Sequence, residues 1–341
     1  MAEVIFHRAG PGITVQDLGR TGYLAQGLSR GGAADRLALH EGATLLGQDP
    51  HCAALEIAGS FLSLELTAPR RIALTGAPMQ AVCDGAALVW HASHALPAGA
   101  RLDLSPRTGG YSYLHFGGGI DLPPLLGARA AHLAAGLGQM IKAGTRLPLG
   151  HDPGHCSGQT FTPLARFDGG LLRMVATPQT RLFPKAICAR FTQTQFRKDA
   201  RANRMGQKLL WDGAGFGLDT GLQILSDTIV PGDIQITGDG APFVLLSECQ
   251  TTGGYPRIGT VLPCDLGRLV QAPPEAALHF TFVSLQEAVQ IERTEAARRE
   301  TLGKSLRPLL RDPHDMADLL AYQLISGVTC GDDLESERSW F

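Results

Sequence analysis

The sequence predicts a mainly-β protein built from two strand-rich blocks, and three observations support this prediction. Short segments that alternate apolar and polar residues recur in both blocks. Glycine is abundant, with 42 of the 341 residues, which suits tight turns between strands. Charged residues make up only 18% of the chain, below the roughly 25% of an average soluble domain, so we expect part of the surface to be hidden in an interface.

The length and the charge balance narrow the class of protein further. A chain of 341 residues corresponds to two domains of ordinary size. Its 30 basic and 32 acidic residues give a net charge of −2, which argues against nucleic acid or an anionic membrane as a partner. We find no long apolar run and no secretory leader, so we expect a cytoplasmic protein without a membrane partner. The chain has seven cysteines but no CxxC, which indicates reduced thiols.

The first block, residues 1–150, reads mostly as short strands around one helix. The alternating segments predict strands over 61–66, 71–76, 87–90 and 101–104. Apolar residues at helical spacing predict a helix over 34–46, and Gly47 is placed to end it. Gly42 lies inside that helix and weakens it by about 1 kcal/mol relative to alanine.

A linker over 151–170 precedes the second block, residues 171–285, and a helical tail over 286–341 follows. The second block predicts strands over 221–225, 233–237, 243–246 and 279–283. In the tail, a charged helix over 286–304 spaces Glu295 and Arg299 for an i,i+4 pair. Asp312 begins a second helix with an apolar stripe that ends at Gly327, and this helix packs either on its own chain or on another subunit.

Short motifs for common chemistries are weak in this chain. Residues 27–31 match G-x-S-x-G, but the residues before Ser29 are too short and polar for the strand of a nucleophile elbow, so we interpret the match as chance. Histidines at 91 and 94, and at 151 and 155 beside Cys156, lack a second ligand pair, so we expect no metal site. There is no phosphate-binding P-loop and no Met-Lys-Met biotinylation site, so any biotin must be carried by a partner.

Two segments concentrate polar side chains beside glycines. The first, over 11–36, brings together polar side chains that could orient a small polar carbonyl compound: Gln16, Asp17, Arg20, Asp35 and Arg36. The alternative is a turn clasp between Asp17 and Arg20 that only fixes the N-terminal strand. The second segment, over 250–259, follows an apolar strand and clusters ligand-type side chains in a Gly-rich turn: Gln250, Thr251, Thr252, Tyr255 and Arg257.

These segments resemble the signatures of the KipA-like family. The family is also called allophanate hydrolase subunit 2 or biotin-dependent carboxyltransferase, and it includes the C subunit of 5-oxoprolinase. The resemblance rests on Thr14-Val-Gln-Asp17 with Gly19-Arg20, on Gln250-Thr-Thr-Gly-Gly-Tyr-Pro256, and on Arg204-Met-Gly206 and Val230-Pro-Gly-Asp-Ile-Gln235 between them. It covers roughly residues 4–284 and implies two cyclophilin-like β-barrel modules.

The resemblance implies an enzyme subunit that acts with partners. In 5-oxoprolinase, a KipI-like subunit and a LamB-type subunit join the KipA-like one to open the lactam of 5-oxoproline to glutamate with ATP, which implies that ATP is used through the complex. Two alternatives stay open: transfer of a carboxyl group from carboxybiotin to urea or a related amide, and a non-catalytic role in which the chain opposes a KipI-like kinase inhibitor. An independent serine hydrolase based on Ser29 is a further alternative.

Our hypothesis for the site is a cleft between the two modules, lined by the two polar segments over 16–20 and 250–255. We expect Asp17, Asp35 and Tyr255 to be the catalytic groups. Residues expected to bind the small amide or lactam substrate are Gln16, Arg20, Arg204, Gln235, Gln250, Thr251 and Thr252. The chain departs from the family at Ala128-Arg-Ala-Ala131, which removes three hydroxyls, and at Glu248, where an aspartate is common.

Overall fold

A computed structural model describes residues 2–107, 109–154, 156–201, 203–218 and 225–310. The strands of the first half are β1 (Glu3–Ala9), β2 (Ile13–Gln16), β3 (Ala54–Ala58), β4 (Leu62–Leu66), β5 (Arg70–Gly76), β6 (Met79–Cys83), β7 (Ala86–Ala87), β8 (Ala92–Leu96), β9 (Arg101–Pro106), β10 (Tyr111–Phe116), β11 (Arg146–Pro148) and β12 (Gln159–Thr160). Those of the second half are β13 (Gly170–Val175), β14 (Arg197–Lys198), β15 (Gly206–Leu210), β16 (Asp227–Thr228), β17 (Asp233–Ile236), β18 (Pro242–Leu245), β19 (Thr252–Gly253), β20 (Arg257–Val261), β21 (Leu278–Phe282) and β22 (Arg307–Pro308). The α-helices in the described ranges are α1 (Arg36–Leu46), α2 (Lys185–Gln193), α3 (Leu266–Gln271) and α4 (Leu285–Glu300).

The strands form three large sheets, which confirms the mainly-β prediction. Two belong to the first half, in the orders β11-β1-β4-β9-β6-β7 and β2-β3-β10-β5-β8-β12-β22. The third belongs to the second half, in the order β14-β15-β18-β17-β20-β13-β21, and β16 pairs separately with β19. Neighbouring strands are antiparallel except for β13 and β21, which run parallel.

Two large apolar cores hold these sheets together. The first lies between the two sheets of the first half, with Phe6 and Leu64 from one and Leu55 and Phe116 from the other. The second core joins both halves of the chain, because Leu39 and Tyr113 pack in the same cluster as second-half residues. A shared apolar core makes the boundary between the halves a fixed surface, on which a site can be held rigidly.

Helix α1 confirms the helix predicted over 34–46, although it begins two residues later. Gly47 ends it in the left-handed conformation, with φ of +60°. Gly42, which weakens the helix by propensity, is explained by packing: a Cβ there would lie 2.2 Å from Nε2 of the buried His115. Strand β10 approaches the helix so closely at this point that position 42 requires a residue without a side chain, which is why glycine occurs there.

The helical tail begins as predicted. Ser284 and Glu287 form a reciprocal capping box at the start of α4, and a 3-10 turn follows over Leu302–Ser305. The predicted pair of Glu295 with Arg299 does not form: Glu295 Oε2 lies 4.0 Å from Arg298 Nη1 instead. After α4 the chain returns to the first half, where β22 pairs with β12. Strand β12 lies inside the segment predicted as a linker and also pairs with β8.

One predicted strand is wrong, and two predictions lie outside the described residues. The strand predicted over 87–90 is broken, because β7 ends at Ala87 and β8 begins only at Ala92. His91 separates them with a φ of +56°, a conformation that a strand does not allow. The strand predicted over 221–225, except for Leu225, and the helix predicted from Asp312 lie outside the described residues. Among the helices that are described, none has the length and apolarity to cross a membrane.

Candidate functional site

The two polar segments that the sequence singles out lie against each other at the boundary between the halves. The N–H of Gly31 donates to the carbonyl of Ser247 at 3.0 Å, and a Cβ on Gly27 would lie 4.0 Å from Thr251 Oγ1. Gly19 and Gly32 have φ values of +84° and +81° and cross so closely that a Cβ on either would lie 2.7 Å from backbone of the other loop strand. Only glycine permits this crossing, which brings the N-terminal loop onto the second half.

Arg204 is the centre of the polar contacts across this boundary. Its Nε donates to Glu248 at 2.5 Å, one Nη donates to Glu56 of β3, and the other donates to the carbonyl of Gly32 at 2.5 Å. Burial opposes the charge of Arg204, but Glu56 and Glu248 outweigh it and hold the pKa of Arg204 above its ordinary value. Tyr113 and the N–H of Ala34 also donate to Glu56, at 2.7 and 2.8 Å. Each nitrogen of the Arg204 guanidinium thus donates one hydrogen bond within the protein.

Asp35 is fully buried next to α1 and holds a second polar cluster together. Its Oδ2 accepts from Arg166 Nε at 2.7 Å and from Gln271 Nε2 at 2.8 Å. Arg166 also binds Glu41 of α1 through two hydrogen bonds of 2.8 and 2.6 Å. Burial raises the pKa of Glu41 to about 7, and Arg166 counteracts part of that rise. The other oxygen of Asp35, Oδ1, has no hydrogen-bond partner among the described residues.

The predicted residues of the first segment are tied to their own half of the protein. Asp17 accepts from the N–H of Gly19 at 2.8 Å and from the N–H of Arg129 at 2.6 Å, so it forms a turn clasp with these two groups rather than the clasp with Arg20 considered above. Arg20 donates to the carbonyl of Ala130 at 2.5 Å, and Gln16 donates to the carbonyl of Ala131 at 3.2 Å. These contacts fix the loop that carries all three side chains.

The predicted residues of the second segment lie nearer the surface. Gln250 and Thr252 are exposed, Thr251 is partly buried, and Tyr255 is half exposed. Gln235, on β17, is buried beneath this loop, where a Cβ on Gly253 would lie 2.5 Å from its Nε2. The glycine therefore lets the loop approach Gln235, while the hydroxyls above it face outward.

Ser29 has a histidine neighbour that the sequence does not reveal. Its Oγ lies 2.8 Å from His132 Nε2, and both side chains are buried. His132 Nδ1 accepts from the N–H of Ala135 at 3.3 Å and lies 4.0 Å from Glu248 Oε2. The contact with Ala135 favours the tautomer with the ring proton on Nε2, in which His132 donates to Ser29. Because a 3-10 turn, rather than a strand, precedes this loop, no nucleophile elbow is formed.

A cavity of about 130 Å³ lies where the two halves and α4 meet. Of the predicted site residues, Asp35 and Arg204 line it, and the predicted side chains of 16–20 and 250–255 are not among its described lining residues. The sequence analysis placed Arg36 in the first polar segment, but it assigned no binding role to two other lining residues, Arg30 and Ser247. One sequence signal was available for the arginines: neither has an acidic residue three or four positions away that could neutralise it. No cluster of metal-ligating side chains occurs in the part of the chain that the structure describes.

Residues 26–282 match the family described as the carboxyltransferase domain, subdomains A and B. The match spans both halves of the fold and includes the cavity's lining residues except those of α4. The chain therefore belongs to this family, which confirms the resemblance drawn from the sequence motifs.

Individual relatives sharpen this assignment. The chain is 35% identical over 301 residues to the C subunit of 5-oxoprolinase from Escherichia coli, covering 87% of this chain and 96% of that protein. It is 30% identical over 285 residues to the C subunit of 5-oxoprolinase from Haemophilus influenzae, covering 82% and 91%. The crystal structure of Kluyveromyces lactis urea amidolyase has the same fold, with a TM-score of 0.77 at 21% sequence identity. The match covers 91% of this chain but only 21% of the urea amidolyase chain.

Proposed function

We propose that this chain is a subunit of an ATP-dependent 5-oxoprolinase, acting in the cytoplasm with a KipI-like and a LamB-type partner. In that reaction water adds to the lactam carbonyl, the ring C–N bond breaks, and glutamate forms while ATP is hydrolysed. The observation that carries the proposal is the similarity to two proteins named as the C subunit of 5-oxoprolinase, each matched over more than nine-tenths of its length.

The chemistry of a lactam sets what the site must provide. Its carbonyl is weakly electrophilic, so catalysis requires donors aimed at the developing oxyanion and a group that accepts or delivers a proton. Asp35 is the predicted catalytic residue best suited to this role, because its free Oδ1 lies at the cavity between the halves. Asp17 and Tyr255 remain proposed catalytic groups, and Gln16, Arg20, Arg204, Gln235, Gln250, Thr251 and Thr252 remain proposed substrate-binding groups.

Reconstitution with the partner subunits tests the proposal. We would co-express this chain with the products of adjacent KipI-like and LamB-type genes and follow glutamate formation from 5-oxoproline. We expect glutamate only when ATP and all the subunits are present. Preparations lacking only this chain, or only ATP, serve as controls. Equal glutamate formation without this chain would contradict the proposed function.

Biotin-dependent carboxyl transfer is the second function to test, because the family is described as a carboxyltransferase domain and the fold matches urea amidolyase. Any biotin would be carried by a partner. The discriminating assay adds a biotin carboxylase with its carrier domain, bicarbonate, ATP and urea, and asks whether avidin abolishes ATP consumption. Avidin-sensitive consumption that needs this chain would favour carboxyl transfer. Loss of both activities would favour a regulatory role opposite a KipI-like inhibitor.

A further inference from the structure

Buried polar atoms without partners are concentrated at the cavity between the halves. Eight such side-chain atoms occur among the described residues, and four of them belong to lining residues: Arg30 Nε, Arg36 Nε, Asp35 Oδ1 and Ser247 Oγ. A buried polar atom left unpaired costs about 1–3 kcal/mol, so native proteins rarely keep several together. Their concentration in one cavity indicates that a ligand completes them.

The unsatisfied charge of this cavity is positive. Arg30, Arg36 and Arg299 line it, and none of their side chains has a hydrogen bond or an ion pair within the described ranges. Burial, followed by the charges of Arg30 and Arg299, lowers the pKa of Arg36 to about 10, and the charge of Glu292 counteracts part of that shift. An anion placed among them would relieve that repulsion.

The carboxylates that line the cavity offset only part of its positive charge, and Glu292 is the one whose charge acts on Arg36 and raises its pKa. Glu292 Oε1 accepts from the N–H of Cys264 at 2.8 Å, and Glu295 lies 4.0 Å from Arg298. Asp35 neutralises Arg166 through Oδ2, which leaves Oδ1 as a single acceptor among cationic groups. The cavity therefore favours an anion and, beside it, a ligand group that donates one hydrogen bond to Asp35 Oδ1.

The backbone adds to this preference. The N-terminus of α1 lines the cavity, its N-cap residue Asp35 makes no side-chain cap, and its first turn carries no acidic residue. Free N–H groups at a helix start favour an anion. The volume of about 130 Å³ is below the roughly 300–1,000 Å³ of pockets for drug-sized ligands, which limits the occupant to the size of an amino acid.

We propose that this cavity binds a small cyclic-amide carboxylate, with its carboxylate held by Arg30, Arg36 and the start of α1 and its amide N–H donated to Asp35 Oδ1. 5-Oxoproline carries both groups on one carbon atom, so this inference rests on the proposed function for the identity of the ligand. Ser247 Oγ is then placed to bind a further oxygen of the same molecule. The arginines determine which substrate enters, and Asp35 determines how its ring is oriented.

Equilibrium dialysis of radiolabelled 5-oxoproline against the assembled complex, without ATP, tests this assignment. We expect Arg36→Gln and Arg30→Gln each to weaken binding about tenfold or more, the loss of a charge-assisted hydrogen bond. Arg36→Lys, which keeps the charge but loses the planar fork, should bind with intermediate affinity. Unlabelled 5-oxoproline should displace the label, and 2-pyrrolidinone, the same lactam without its carboxylate, should not. Arg293→Gln, at an exposed position of α4, is the matched control and should bind like the wild type.

The outcomes separate this inference from the proposed function. Unchanged binding in both arginine-to-glutamine variants, no binding by the wild type, or displacement by inorganic phosphate as effective as by 5-oxoproline would each overturn the cavity assignment. Turnover with unchanged KM in both variants would overturn it too while leaving the proposed function intact. Binding that depends on Arg36 in a complex that makes no glutamate would support the cavity assignment and refute the function. The melting temperature of each variant confirms that it is folded.

Discussion

Arg204 offers the sharpest test of how the two halves are joined. The structure predicts that Arg204→Met destabilises the protein, because it leaves Glu56 and Glu248 buried without their cation and the Gly32 carbonyl without a donor. Removing one partner of a buried ion pair typically costs about 3–5 kcal/mol. With an unfolding entropy of about 0.7 kcal/mol per kelvin for a chain of this length, the melting temperature should fall by roughly 4–7 °C.

Differential scanning calorimetry of the purified chain measures this shift. The triple variant, which adds Glu56→Gln and Glu248→Gln, removes the unpaired charges and should recover much of the loss. Arg293→Met changes an exposed arginine and should melt like the wild type. A melting temperature for Arg204→Met within about 1 °C of the wild type would refute the reasoning. So would a triple variant no more stable than the single one, and Arg204 would then be better regarded as a substrate-binding residue.

Three further predictions concern other parts of the fold and the site. Gly42→Ala should lower the free energy of unfolding, measured in urea, by about 1–3 kcal/mol, because the new Cβ would clash with His115 despite the better helix propensity of alanine. Gly303→Ala, where a Cβ would face open space, should not lower it. A Gly42→Ala variant more stable than the wild type would contradict this packing argument. Burial lowers the pKa of His115 to about 3, so the unfolded chain takes up the proton first as the pH falls below about 6.5. Stability should then drop by about 2 kcal/mol between pH 7 and 5 from this group, a slope that urea unfolding of His115→Asn should lack. In the reconstituted complex, Asp17→Ala should lower both turnover and melting temperature because its clasp is lost, while Tyr255→Phe should lower turnover alone; wild-type turnover in Tyr255→Phe would remove that residue from the catalytic groups.

The sequence could predict features that depend on local pattern, and it could not predict contacts between residues far apart in the chain. The helix ending at Gly47 and the alternating strands follow from periodicity and turn chemistry, which act over a few residues. The family motifs placed Asp35 and Arg204 at one site, and both line the cavity. No local pattern points to Gln271, whose hydrogen bond to Asp35 spans 236 positions, because such pairings depend on how the sheets pack. The strand predicted over 87–90 ends at Ala87, and the positive φ of His91, before the next strand begins, is a feature that propensity does not anticipate.

The return of β22 to the first half has a consequence for synthesis of the chain on the ribosome. The sheet that contains β8 and β12 gains its last strand only from Arg307 and Pro308, after the whole second half has been made. At 5–20 residues per second, the stretch from Thr160 to Arg307 takes roughly 7–30 s to translate. During that interval the nascent first half carries an open sheet edge that could pair with another chain. A helper that shields this edge, or early capture by a partner protein, would therefore raise the yield of folded protein.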